Sequence, residues 1–175
     1  DFSGTGDDSV WNFYTTDSGL SGTDNVILLT NPTDTIIDAM AFANNTGSWT
    51  GNTTAFNNAV SSGQWTGIPS EADSADWSGG DSGKSLGRDE NSTDTDATAA
   101  AKDDWSIKTT LTQGVANSTS TVIPPAGGGG SISAIITEIA TNISNGDFVE
   151  LFVTAESTDV GGCQLYEGTT LIKTL

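Results

Sequence analysis

The residues best suited to chemistry in this chain are carboxylates. Asp89-Glu90-Asn91-Ser92-Thr93-Asp94-Thr95-Asp96 sets oxygen donors at near-alternating positions. Ca2+ takes about six to eight oxygen ligands, so Asp89, Asn91, Asp94 and Asp96 are its candidate ligands. The run lacks the glycine and the terminal glutamate of an EF-hand loop, and a solvated turn with Asx caps uses the same residue types. The chain has no histidine and one cysteine, Cys163. Ser-His and Cys-His nucleophile systems and imidazole metal sites are therefore excluded, as is an intrachain disulfide. Paired carboxylates alone can hydrolyse glycosides, but they need a cleft, and short strands with polar loops offer no obvious one. Lys84, Lys102, Lys108 and Lys173 fall into no serine–lysine pattern. The expectation is a protein that is not an enzyme, with no cofactor unless Ca2+.

Arg88 is the sole arginine. A planar guanidinium suits a partly buried carboxylate, and Glu138 or Glu150 is the expected partner in a structural pair. Sequons of the Asn-x-Ser/Thr type stand at Asn44, Asn52, Asn91, Asn117 and Asn142. They make these asparagines candidate glycosylation sites of an exported protein.

Charge narrows the partners. With 23 acidic and five basic residues the net charge is −18. Such a chain repels phosphate backbones and anionic lipids, so the expected partners include no nucleic acid. No apolar run approaches the ~20 residues of a spanning helix, so no membrane insertion is expected. The chain starts at Asp1 rather than Met, which fits removal of a leader or excision from a longer sequence. The expected location is extracellular or at the cell surface.

The elements that must position these groups are mostly strands. The apolar fraction is 34%, and Gly, Ser, Thr, Asn and Asp dominate the rest, which favours many short strands. A short strand is expected around Val10–Tyr14. Asn25–Thr30 and Thr35–Ala43 form a hairpin around Asn31-Pro32-Thr33-Asp34, with Ile36, Met40 and Phe42 on one face and Ile37, Ala39 and Ala41 on the other. Over Thr53–Gln64 the period changes: Phe56, Ala59 and Val60 make one helical stripe, capped by Asn52 or Thr53. Asp96–Asp103 is a candidate second helix. Trp65 and Trp77 anchor a turn-rich stretch, and Trp105–Leu111 alternates again. Residues 119–131, TSTVIPPAGGGGS, read as a linker stiff at its prolines and loose at its glycines. Strands then follow at Ala134–Ala140, Phe148–Thr154, Cys163–Tyr166 and Thr170–Leu175, with Asn145-Gly146 turning between the first two.

Three tail motifs, Ile136-Thr137-Glu138-Ile139, Phe148-Val149-Glu150-Leu151-Phe152 and Gly162-Cys163-Gln164-Leu165, together resemble the opening of a lamin-tail domain. That family usually has tryptophan where Cys163 stands. The hairpin, with Ser85-Leu86-Gly87-Arg88-Asp89 and Asp104-Trp105-Ser106, resembles the rest of the same domain type. The resemblance implies an all-β, immunoglobulin-like β sandwich, to which the helical stripe adds one short α-helix. It also implies an order read across a repeat boundary: residues 1–118 carry the closing portion, 119–131 the linker and 132–175 the opening strands.

Each portion alone leaves sheet edges and apolar faces open. The linker of 13 residues spans up to ~43–47 Å when extended, so the tail can fold back on its own body or enter a neighbour. Donation to the next unit is the expected outcome. Ile135, Ile136, Ile139, Val149, Leu151 and Val153 would then pack against the neighbour's Val26–Leu29 and Ile36–Phe42. Head-to-tail donation does not close, so it makes a homopolymer. The functional expectation is a structural subunit or repeat of an extracellular filament or cell-surface layer. The lamin-tail resemblance implies an alternative, an accessory binding module of a secreted nuclease or phosphatase.

Overall fold

The computed structural model describes residues 10–14 (backbone only), 19–80, 83–89, 93–96, 101–112, 134–141, 146–153 and 160–175. The Pro/Gly linker and Asn145 of the expected turn lie outside these residues. Ten strands are described: β1 Val10–Tyr14, β2 Asn25–Thr30, β3 Ile36–Ala43, β4 Ala75–Asp76, β5 Ser85–Arg88, β6 Trp105–Lys108, β7 Ala134–Ala140, β8 Phe148–Val153, β9 Gln164–Glu167 and β10 Thr170–Thr174. They form two five-stranded sheets, ordered β1-β8-β7-β5-β6 and β10-β9-β2-β3-β4. The fold is mostly β and sandwich-like, with one α-helix among the described residues, α1 Thr53–Ser61.

The β2–β3 hairpin forms where the sequence predicts it. Asn31 closes its turn: its backbone N–H donates to Thr35 O at 2.9 Å, and its side-chain oxygen accepts from the N–H groups of Thr33 and Thr35. Asp34 takes the left-handed φ of +59° there, which a short polar side chain tolerates. Register pairs Ile27 with Met40 and Leu29 with Asp38, so a carboxylate stands among the buried apolar side chains of one hairpin face.

Helix α1 begins where expected and stops early. Asn52 is its N-cap, accepting from Ala55 N at 2.9 Å. The stripe of Ala55, Phe56 and Ala59 is buried, and Trp49 meets Phe56 edge-on at 5.5 Å between ring centroids. The periodic signal runs to Gln64, but Gly63 adopts φ +79°. Gln64 N then donates to Ala59 O and Gly63 N to Val60 O, the paired bonds of a Schellman stop. The candidate helix over Asp96–Asp103 is instead a 3-10 turn at Ala101–Asp104, and residues 97–100 are not described. Trp65 and Trp77 are buried as expected.

The C-terminal strands enter both sheets of their own chain. β8 pairs with β1 and β7, β7 pairs with β5, and β9 pairs with β2. Ile136, Ile139, Val149, Leu151 and Val153 join one core with the chain's own Val26–Leu29 and Ile37–Phe42. This corrects the expected packing: in the single chain the partner is its own hairpin, not a neighbour's. Ile135 is buried but outside that cluster, because successive strand residues point to opposite faces. Closure within the chain satisfies the same edges that donation would satisfy.

Candidate functional site: a buried charge cluster

Strands β3, β6 and β7, the segment after β5 and the 3-10 turn converge on Arg88, the last residue of β5. Its side chain is buried to 1% exposure, so each of its donors needs an acceptor. Nε donates to Ile136 O at 2.7 Å and Nη1 to Thr93 O at 2.8 Å. Nη2 lies 3.3 Å from Asp38 Oδ1, and Nη1 lies 3.0 Å from Asp94 Oδ1 and 3.5 Å from Asp104 Oδ2. The Trp105 ring covers the guanidinium at 4.7 Å, a cation–π contact that replaces water on that face. The expected partners of Arg88 are corrected here. Glu138 instead accepts from Thr112, and Glu150 accepts from Thr137 Oγ1 at 2.9 Å. Register explains the change. Glu138 sits opposite Gly87 in the β5–β7 ladder, whereas Arg88 reaches across the sandwich to Asp38 on β3.

Asp38 links the two sheets. Its Oδ2 accepts from Ile136 N at 2.5 Å and its Oδ1 from Ala39 N at 2.7 Å. Backbone N–H and C=O of Ile136 are thus both held by side chains, one by Asp38 and the other by Arg88. The β5–β7 ladder has only the pairs Leu86–Ile139 and Gly87–Glu138, and β7 is irregular between Ile136 and Glu138. The Asp38–Arg88 pair extends polar contact to β7 past the end of that ladder.

Of the candidate Ca2+ ligands, Asp94 and Asp96 come together with Asp38, their nearest oxygens lying within 4.8 Å of one another. Asp89 does not join them. It caps its own turn, accepting from Thr93 N and Thr93 Oγ1, both at 2.7 Å. Asn91 lies outside the described residues. Asp94 is already paired with Arg88, and Asp104 accepts from Thr95 N at 2.7 Å and from Thr95 Oγ1 at 3.0 Å. An acidic triad is not by itself evidence of an ion, and we assign none.

The electrostatics of the cluster are unbalanced. Asp38, Asp94, Asp96 and Asp104 surround one guanidinium; fully ionised, they would leave about three negative charges in a site of low dielectric. Proton uptake would relieve this. Burial pushes Asp38 up to about 8, against the opposing pull of Arg88. Burial, then the charge of Asp94, raises Asp96 to about 7. Burial also raises Asp104.

Two candidate glycosylation asparagines are described. Asn52 is engaged at both ends, its amide nitrogen donating to Thr169 Oγ1 at 3.3 Å while its oxygen caps α1. The Asn44 side-chain oxygen is buried without a hydrogen-bond partner. Asn91, Asn117 and Asn142 lie outside the described residues.

Asp38 is the residue that sequence reasoning missed. Its signal was a lone acid inside the apolar run Thr35–Ala43, on the face shared with Ile36 and Met40. A buried carboxylate on a core face requires a cationic or hydrogen-bonding partner, and the sole arginine was the natural one.

Residues 5–107, over half of the chain, match the family model TP_1001_2nd, described as "protein second domain". The chain belongs to this family. No lamin-tail family matches, so the expected lamin-tail membership is corrected. The motifs behind it (alternating apolar strands, a glycine turn and a buried acid) are shared by many two-sheet folds and do not discriminate among them. No curated protein and no solved structure matches the chain. The family description gives a domain's place and names no activity.

Proposed function

We propose that this chain is a non-catalytic structural subunit or repeat of an extracellular filament or cell-surface layer. In this reading units join head-to-tail by exchanging their C-terminal strands. The supporting observation is the interleaving of the two halves. β7 and β8 stand in the middle of one sheet, between β1 on one side and β5 on the other, and β9 flanks the hairpin in the second. A body without them would expose the β2 edge and separate β1 from β5, so each unit requires strands of this sequence from some chain. Residues 119–131 have the Pro/Gly composition of a linker, and 13 residues are long enough for the same strands to serve their own body or the next one. Exchange of an identical element is a low-cost route to assembly, and the head-to-tail form propagates. The strongly acidic composition and the absence of histidine fit a soluble, non-catalytic surface role. The accessory-module alternative was implied only by the lamin-tail resemblance and is not carried forward.

The test is refolding of the purified chain over a concentration series, followed by light scattering and negative-stain microscopy. Head-to-tail multimers or fibres that grow with concentration are expected. A monomer at every concentration contradicts the proposal, as does hydrolase turnover abolished by a single carboxylate substitution.

A further inference from the structure

The second sheet carries two recesses that meet. The larger, about 460 Å3, is lined by polar groups, among them Thr23, Asn25, Thr50, Asn52, Glu167 and Thr170. The smaller, about 290 Å3, is lined by the apolar side chains of Leu28, Ile36 and Tyr166, with the exposed Asp34, Asn58 and Thr169 beside them. Gly168, in the turn between β9 and β10, lines both. It adopts φ +58°, and a Cβ there would lie 2.9 Å from Asn52 Nδ2, so a side chain at this position would crowd the passage between the recesses. Small-ligand sites run to about 300–1,000 Å3, the scale of this pair.

The lining constrains the ligand. Tyr166 stands opposite Leu28 on one side and Leu171 on the other. Leu28 is one residue from Leu29, which pairs with Asp38, so this apolar row lies on the sheet face turned away from the charge cluster. Tyr166 Oη donates to Gln164 Oε1 at 2.7 Å, which fixes the ring, and Leu171 is 47% exposed. In the polar recess Glu167 Oε1 accepts from Ser21 N at 2.5 Å and from Asn25 Nδ2 at 3.1 Å. That carboxylate is thus held in place, with Oε2 left to accept from a ligand. Among the described residues no lysine or arginine lines either recess, and the chain carries −18, so anions are repelled. A wholly apolar ligand would desolvate the polar recess without pairing its groups. A ligand that suits both recesses has hydroxyls in several directions and one apolar ring face, which is the chemistry of a sugar.

We propose that the joined recesses bind a neutral saccharide, the ring face of one unit stacked on Tyr166 and the hydroxyls of the next held by Glu167 and the neighbouring threonines.

The C–H groups on a sugar ring face are apolar and slightly positive, and they meet the negative face of an aromatic ring favourably. The Asn58 amide offers both a donor and an acceptor, so it can pair with a hydroxyl in either sense. β9 and β10 supply the groove in whichever body they complete, so it does not rest on strand exchange, and either proposal can fail alone.

The test uses the full chain, dilute, on a printed array of neutral oligosaccharides (glucan, mannan, galactan and chitin fragments) beside sialylated and sulfated ones. Hits are titrated by calorimetry. Binding to at least one neutral oligosaccharide, unchanged by EDTA, is expected. Tyr166→Ala should raise Kd about tenfold or more, the scale of a lost aromatic contact and its buried area, while Tyr166→Phe keeps most of the affinity. Asn58→Ala, on the exposed surface of α1, should weaken binding about two- to tenfold, as for one lost hydrogen bond. It decides the matter if Tyr166→Ala does not fold. Ile68→Ala, an exposed apolar control outside both recesses, should change nothing. Failure to bind any neutral oligosaccharide overturns the proposal, as does binding confined to acidic glycans or abolished by EDTA. So does unchanged affinity in the folded Tyr166→Ala and Asn58→Ala variants.

Discussion

The two sheets of this molecule are held together by different physics. The β2–β3 hairpin is local in sequence and almost wholly apolar, with Val26, Ile27, Leu29, Met40 and Phe42 fully buried. The centre of the other sheet is assembled from distant pieces. There β5 meets β7 some 50 residues later, and a buried guanidinium holds their junction. Hydrophobic burial is non-directional and insensitive to pH. A buried charge network is directional, and it depends on the protonation of every member. Apolar burial stabilises both regions, since Leu86, Ile136, Ile139, Val149 and Leu151 share the hairpin's core, and the second region adds directional contacts to the Ile136 backbone.

Removing the cation should break the second region most severely. Arg88→Met leaves four carboxylates without their partner and is expected to cost about 3–5 kcal/mol at pH 7, as for other broken buried pairs. Urea denaturation measures it, and the loss should shrink at pH 5, where the carboxyls take up protons. Leu29→Ala in the hairpin should cost about 2–5 kcal/mol through lost burial and a cavity, and this loss should be the same at pH 5 and pH 8. If both variants vary equally with pH, the contrast between the regions is false.

A smaller effect concerns the intact protein. A carboxyl raised on folding contributes stability that is fully present below its unfolded value of 3.8 and is lost once pH passes the folded value, about 7 for Asp96 and about 8 for Asp38. The unfolding free energy should therefore fall between pH 6 and pH 8 by on the order of 1 kcal/mol per unit, and Asp38→Asn should remove most of that slope. Smaller or comparable is the helix cap: Asn52→Ala should cost about 1 kcal/mol with no pH dependence, read from the urea midpoint.

The same contrast explains what was legible in the sequence. Alternation and turn chemistry are local, so β2, β3, the start of α1 and all four C-terminal strands were read within a residue or two. The end of α1 was misjudged because the stripe at Phe56, Ala59 and Val60 says nothing about Gly63 adopting a positive φ. The charge cluster is non-local. Asp38, Arg88 and Asp104 are separated by about 50 and 16 residues in sequence, and only the packing of β3 against β7 brings them together. Arg88 was expected to pair with a buried acid, and it does. Its partners were misassigned because Glu138 and Glu150 lie on the nearer strands, while the acid that faces Arg88 belongs to the other sheet. Family membership was misread for a related reason: short alternating strands determine a two-sheet architecture without selecting one family within it.

The central claim is that the C-terminal strands complete the body in a fixed register, in their own chain or in another. The most direct test is a disulfide trap across β2 and β9, where Thr30 stands opposite Gln164. Directly opposed strand residues have the Cα spacing a disulfide requires. The chain carries Thr30→Cys and Gln164→Cys, with Cys163→Ala to prevent mispairing, and is refolded dilute and concentrated before oxidation. The account predicts a crosslinked monomer from the dilute sample and a ladder of disulfide-linked multimers from the concentrated one. Absence of any crosslink would contradict the register, and a crosslinked monomer at every concentration would contradict exchange between chains.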